Sequence, residues 1–65
     1  MPRPARPLIP AAEVAARCGV TPQAVRNWAR RYCLGHRLGG RWVIPAPVAR
    51  ALARGVPPQE ARRHA

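Results

Sequence analysis

A tight turn followed by a helix with two unlike faces constrains the fold of this chain more than any other feature. Gly19-Val20-Thr21 is typical of such a turn, and the residues from Pro22 to Tyr32 have the pattern of the helix. Because each helical residue advances by roughly 100° around the axis, the apolar residues gather on one side: Val25, Trp28, Ala29 and Tyr32. The opposite side carries amides and cations: Gln23, Arg26, Asn27 and Arg30, with Arg31 beside them. The pattern predicts one buried face and one face of groups that contact phosphates and base edges.

The chain has 65 residues, which is room for one small domain. A domain of this size buries only about 60% of its unfolded surface, so an enzymatic cleft is hard to build. The sequence contains no serine, and its two carboxylates, Glu13 and Glu60, are far apart along the chain. We therefore expect a binding module and not an enzyme.

The charge is strongly positive, with 12 arginines, no lysine and two glutamates, for a net charge of +10. Such a charge implies a polyanionic partner, with nucleic acid first and a membrane surface second. A cationic peptide acting on membranes or RNA would favour a long amphipathic helix, whereas proline and glycine interrupt every helical pattern here. No apolar run approaches the ~20 residues of a membrane span. We expect no membrane partner.

Cys18 and Cys33 are the only cysteines, and the N-terminal residues show no secretory signal pattern. Two cysteines in such a chain indicate free thiols in a reducing cytoplasm. A metal site could combine them with His36 and His64. Because Cys18 falls on the apolar face of a helix and His64 is next to last in the chain, we expect no metal, and we expect no other cofactor.

The first eight residues are interrupted by prolines at positions 2, 4 and 7, which favour an extended polyproline II segment. Arg3 and Arg6 would then point the same way. Residues 1–8 are predicted to be a flexible arm, either reaching a DNA minor groove or remaining a solvated tail. The solvated tail is the preferred interpretation.

A first helix is predicted from Pro10 or Ala11 to Cys18, with Ile9 packing at its entrance. Gly19 can take the left-handed conformation that ends this helix, and Thr21 can cap the next helix through its hydroxyl. Two helices joined by a short glycine-containing turn form the helix-turn-helix unit.

The segment from His36 to Ile44 predicts a β-hairpin around the turn Gly39-Gly40. Trp42 and Ile44 share one face of the second strand and are expected in the core, as is Trp28. The hairpin is either a wing that approaches a minor groove, which is preferred, or a purely structural hairpin.

A third helix is predicted from Pro47 to Arg54, with Gly55 as its C-terminal cap. Residues 9–55 thus form the predicted domain, mainly α with a small β-hairpin. Residues 56–65 are predicted to be a basic C-terminal tail. Residues 59–65 could form one or two helical turns, but a flexible tail is the preferred interpretation.

Two motifs resemble those of a known family. The first combines Ala12-Glu13-Val14-Ala15, Gly19-Val20-Thr21 and Val25-Arg26-Asn27-Trp28, and the second is Leu38-Gly39-Gly40-Arg41-Trp42-Val43-Ile44-Pro45. Over about residues 9–54 the chain resembles the excisionase-type, MerR-like winged helix-turn-helix domains. It departs from the family pattern at Pro10, where a serine or threonine usually opens the first helix, and at Arg17, where relatives often carry an apolar residue.

The resemblance implies that residues 22–32 enter a major groove of double-stranded DNA while the wing, residues 36–44, approaches the neighbouring minor groove. By position, the implied DNA contacts on the helix are Thr21, Gln23, Arg26, Asn27 and Arg30, with Arg31 alongside. The implied contacts on the wing are Arg37, Gly40 and Arg41.

Family excisionases, or recombination directionality factors, bind repeated sites side by side, bend the DNA and direct an integrase toward excision. We accordingly expect a phage or mobile-element excisionase whose partners are DNA, an integrase and neighbouring copies of itself. The alternative is a small MerR-like transcriptional regulator. Full MerR regulators carry an effector domain for which this chain has no room, so no small-molecule ligand is expected.

Overall fold

The computed structural model describes residues 8–64 of the chain, and these residues form a mainly helical structure with a three-stranded antiparallel sheet. The elements in chain order are β1 (Leu8–Pro10), α1 (Ala11–Cys18), α2 (Pro22–Tyr32), β2 (His36–Leu38), β3 (Arg41–Pro45), α3 (Ala46–Ala53), α4 (Pro58–Ala61) and a short 3₁₀ helix (Arg62–His64). The predicted mainly α class is confirmed, with strand β1, helix α4 and the short 3₁₀ helix in addition to the three helices and the hairpin predicted from the sequence.

The two helices α1 and α2 and the turn between them follow the prediction closely. Gly19 ends α1 with a φ of 72°, and the backbone N–H of Val20 donates to the carbonyl of Ala15 at 3.0 Å. This pairing satisfies a carbonyl in the last turn of α1 and directs Val20 toward the core. On α2, Val25 and Ala29 are buried, as the helical periodicity predicts.

The end of α2 has a feature that the sequence did not reveal. Cys33 adopts the left-handed conformation, with a φ of 56°, at a position where glycine is usual. The N–H of the next residue, Leu34, donates to the carbonyl of Ala29 at 3.1 Å, and the Leu34 side chain is buried. The left-handed turn therefore delivers Leu34 to the core.

The strand order in the sheet is β1-β3-β2, with Ile9 opposite Ile44 in one pair and His36 opposite Val43 in the other. Strand β1 was not predicted. Leu8 was assigned to the arm, whereas it lies opposite Pro45 at the start of β1. An edge strand of this kind tolerates proline, which explains why a Pro-rich segment can join the sheet. Residues 1–7, with Arg3 and Arg6, lie outside the described residues, and so does the arm predicted there.

Helix α3 spans Ala46–Ala53, one residue earlier at each end than predicted. Gly55 follows with a φ of 96°, and its N–H donates to the carbonyl of Leu52 at 3.0 Å. The N–H of Val56 donates to the carbonyl of Ala51, also at 3.0 Å. These two bonds form a Schellman motif, so the predicted capping role of Gly55 is confirmed.

The segment after α3 is helical and packed against the core, which differs from the preferred prediction of a flexible tail and agrees with the alternative of one or two helical turns. Ala61 on α4 is fully buried, and Val56 packs against the core. The carbonyl of Pro57 accepts the N–H groups of both Glu60 and Ala61, which starts the helix. A helix as short as α4 is marginal alone, so it depends on tertiary packing, which the local sequence does not indicate. Ala65 lies outside the described residues.

The core consists of small aliphatic side chains. The largest fully buried ones are Val14, Val25, Ile44 and Val48. Trp28 and Trp42 pack against this core but remain half-buried, so the prediction that the two indoles fill it is correct only in part. Each indole thus contacts the core while part of its surface stays accessible to solvent.

Candidate nucleic-acid interface

The N-terminus of α2 is fixed by Thr21. Its hydroxyl oxygen accepts the backbone N–H of Ala24 at 3.2 Å, and Pro22 occupies the first helical position. Both features were predicted, and together they set where the outward face of α2 begins. Thr21 is exposed, and its hydroxyl keeps a proton to donate.

Four predicted site residues are brought together on the outward face of α2. Their side chains form a hydrogen-bonded row in the order Arg26, Gln23, Asn27, Arg30, which we call the α2 row. Nη2 of Arg26 donates to Oε1 of Gln23 at 2.9 Å. Nε2 of Gln23 donates to Oδ1 of Asn27 at 3.0 Å. Nη2 of Arg30 donates to the same Asn27 oxygen at 3.2 Å.

Arg31 is not part of the α2 row. Its guanidinium carbon lies 5.6 Å from the centroid of the Tyr32 ring, within the range of a cation–π contact. Arg31 is exposed, so it extends the positive charge of α2 beside the row without joining the hydrogen bonds.

The hairpin formed by β2 and β3 has the predicted glycine turn. Gly39 and Gly40 have φ angles of 57° and 83°, so both central residues of the turn have positive φ, as in a type I′ turn. No side chain widens this tip, and both glycines are exposed.

Arg37 and Arg41 lie on opposite faces of the hairpin. Leu38 is the cross-strand partner of Arg41, and Trp42 is the partner of Arg37. Since directly opposed residues share a face and successive residues alternate, the two guanidiniums extend from different sides of the same narrow tip.

A groove of about 360 Å³ joins the helix to the hairpin tip. Arg26 contributes from α2, and the hairpin contributes Gly40, Arg41 and Trp42. The remaining wall is made by Pro10 at the end of β1 and by Ala11 and Ala12 at the start of α1. The lining contains two guanidiniums and no carboxylate, which suits an anion. The α1 residues were not predicted as site residues, because their approach to Arg26 depends on tertiary packing.

The two acidic side chains of the described residues, Glu13 and Glu60, do not neutralise the positive charge of the groove or of the α2 row. Oε2 of Glu13 accepts Nη2 of Arg17 at 2.6 Å, so this carboxylate is paired within α1. Glu60 belongs to α4, outside the groove and the α2 row.

Cys18 packs half-buried against the core, and this burial raises the pKa of its thiol. Cys33 is exposed, and both cysteines are free. Across residues 8–64, no three His, Cys, Asp or Glu side chains come together as a metal site would require. None of the helices described here is long and apolar enough to cross a membrane.

Comparison of the chain with protein-family models, with curated proteins and with solved structures gave no match. The assignment of a function therefore rests on the sequence patterns and on the geometry described above.

Proposed function

We propose that this chain is a sequence-specific double-stranded DNA-binding module of the winged helix-turn-helix kind. The observation that carries the proposal is the groove shared by Arg26 of α2 and Arg41 of the hairpin tip. It joins a helix face of amides and guanidiniums to a slim, arginine-flanked tip in one continuous positive surface.

The dimensions of the two elements fit the two grooves of B-form DNA. A helix with its side chains is about 10–12 Å across and the major groove is about 12 Å wide, so α2 can enter it. The minor groove is only about 6 Å wide, and the Gly39-Gly40 tip carries no side chain that would prevent entry. In this arrangement, residues 22–32 read the major groove and the wing, residues 36–44, follows the neighbouring minor groove.

The residues divide by the contacts they can make. Gln23, Asn27 and Arg30 are exposed on α2 and can reach base edges, whereas the hydroxyl of Thr21 can donate to a phosphate. Around them, guanidiniums can neutralise phosphates: Arg26, Arg31, Arg37 and Arg41. Gly40 allows the backbone of the tip to approach the DNA closely.

The biological role that we propose is that of an excisionase, and it rests on the family resemblance of the two sequence motifs. In that role the chain performs no chemistry and acts in the cytoplasm on DNA. Adjacent copies would share the bending energy, which is of order 1–6 kcal/mol for a 40–90° bend over a short site. A small transcriptional regulator that uses the same surface at a promoter is the second candidate.

Selection from a randomised duplex library, followed by fluorescence anisotropy on the enriched site, tests DNA binding. The double variant Arg26→Ala/Arg30→Ala should weaken binding at least about tenfold, since contacts to phosphate and to guanine are both removed. Arg50→Ala/Arg54→Ala removes the same charge from exposed residues outside the proposed interface, and it should cost much less. If the two double variants lost the same amount of affinity, binding would depend on net charge alone, and the proposed interface would be rejected.

A recombination assay separates the two roles. The protein is added to an integrase and attachment-site DNA, and the excised and integrated products are counted. Excision that increases with the protein supports the excisionase role. Unchanged excision, together with binding at a promoter, supports the regulator.

A further inference from the structure

The direction of the hydrogen bonds in the α2 row is fixed by its two ends. Arginine has donors and no acceptor, so Arg26 must donate to the side-chain oxygen of Gln23. The amide nitrogen of Gln23 then faces Asn27, which must present its oxygen. Arg30 requires that same oxygen from the other side. If the side-chain amide of Gln23 or Asn27, or of both, were rotated by 180° so that its oxygen and nitrogen exchanged places, at least one of these three contacts would pair two donors.

These bonds leave the two amides with different free groups. The Asn27 oxygen has two lone pairs and accepts twice, so Asn27 has only the N–H donors of Nδ2 left. Gln23 has used one N–H and one lone pair, so it keeps one donor and one acceptor. Two residues with the same functional group thus present different patterns to a base edge.

We infer that Gln23 reads adenine and that Asn27 reads a keto base, guanine or thymine. The inference rests on the proposed DNA-binding function. In the major groove adenine offers N7 as acceptor and N6 as donor, which matches the free donor and acceptor of Gln23. Guanine and thymine offer acceptors, at N7 and O6 or at O4, which match a donor-only Asn27.

Arg30 sets the specificity of Asn27 through the shared oxygen, besides making its own contact with DNA. When the Arg30 guanidinium is removed, one lone pair of Asn27 becomes free. Asn27 then regains the donor–acceptor pattern that adenine requires. Arg30 is therefore both a contact residue and a positioning residue.

The test is selection from randomised duplexes with the full chain, four variants on the outward face of α2 and the control variant Arg50→Ala on α3. Gln23→Ala and Asn27→Ala identify the base pair that each amide reads, as the position whose preference is lost. Arg30→Ala is the decisive variant. Arg30→Met removes the guanidinium but keeps an unbranched apolar side chain and the helix propensity of the residue, so it separates loss of the hydrogen bond from loss of the side chain. Circular dichroism checks that each variant is folded.

The wild-type chain should prefer adenine at the Gln23 position by about tenfold, and guanine or thymine at the Asn27 position. Arg30→Ala and Arg30→Met should both shift the Asn27 position toward adenine, whereas Arg50→Ala should leave it unchanged. Adenine at the Asn27 position in the wild type, or no shift there in the Arg30 variants, overturns the inference while DNA binding stands. Absence of any enriched duplex overturns the proposed function and the inference together.

Discussion

Arg26 and Arg41 line the same groove, one from the outward face of α2 and the other from the tip of the β2–β3 hairpin. Arg26 also belongs to the α2 row, through its bond to Gln23. The groove therefore connects the helix surface to the hairpin, and a phosphate held there would fix the position of one relative to the other.

Arg41→Ala should weaken binding almost equally on all duplexes, because a phosphate contact carries no sequence information. The slope of log affinity against log salt should become shallower by about 0.9, the value for one neutralised phosphate. Anisotropy titrations on the enriched duplex and on an unrelated duplex, each at several salt concentrations, measure both quantities. Arg50→Ala is the matched control. A loss confined to the enriched duplex would instead make Arg41 a base-reading residue.

Gly35→Ala should destabilise the domain by about 3 kcal/mol, as overpacking does. A Cβ at Gly35 would overlap the carbonyl oxygen of Val43, which is backbone and cannot move aside cheaply. Urea denaturation followed by circular dichroism gives the free energy of unfolding. Gly19→Ala is the comparison, because a Cβ at Gly19 would contact no other atom. Its free energy of unfolding should fall by only about 1 kcal/mol, the cost of placing alanine in the left-handed conformation. A smaller loss for Gly35→Ala than for Gly19→Ala would rule out this close approach.

Cys33→Gly should stabilise the domain by about 0.5–1 kcal/mol. Relief of the left-handed strain is worth roughly 1–2 kcal/mol, and the added freedom of the unfolded glycine offsets part of it. Cys33→Ala also removes the thiol but keeps the strain, so its unfolding free energy should stay near that of the wild type. A stabilisation by alanine equal to that by glycine would show that the thiol, and not the backbone, is responsible.

Alkylation should distinguish the two thiols. Burial raises the pKa of Cys18, so less of it is thiolate at a given pH, and its reaction should lag behind that of exposed Cys33. Raising the pH should increase the share of Cys18 that reacts. Mass spectrometry of peptides after timed iodoacetamide treatment measures both rates, and the urea-unfolded chain is the control. Faster alkylation of Cys18 than of Cys33 in the folded chain would contradict the packing of α1.

The features predicted correctly from the sequence have local causes. Gly19 ends α1 because glycine readily adopts a positive φ, and Gly39 and Gly40 form the hairpin turn for the same reason. Thr21 caps α2 through the N–H of Ala24, only three residues further along the chain. The spacing of the α2 row also predicted that Gln23 and Asn27 would be neighbours.

The features that were missed depend on residues far apart in the chain. Strand β1 exists because Ile9 pairs with Ile44, and α4 is held because Ala61 fits the core. Cys33 is not a typical residue for a left-handed turn, so no sequence signal marked it. Spacing alone likewise could not say which atom of Asn27 faces Arg30.

The proposed DNA-binding surface can be tested directly by adding the enriched duplex to the ¹⁵N-labelled chain and recording amide chemical shifts. The proposed interface predicts the largest changes at residues 21–31 and 37–41, with residues 48–54 on α3 and at its C-terminal end nearly unchanged. Changes concentrated on α3, or spread evenly over the arginines of the chain, would contradict the proposed interface.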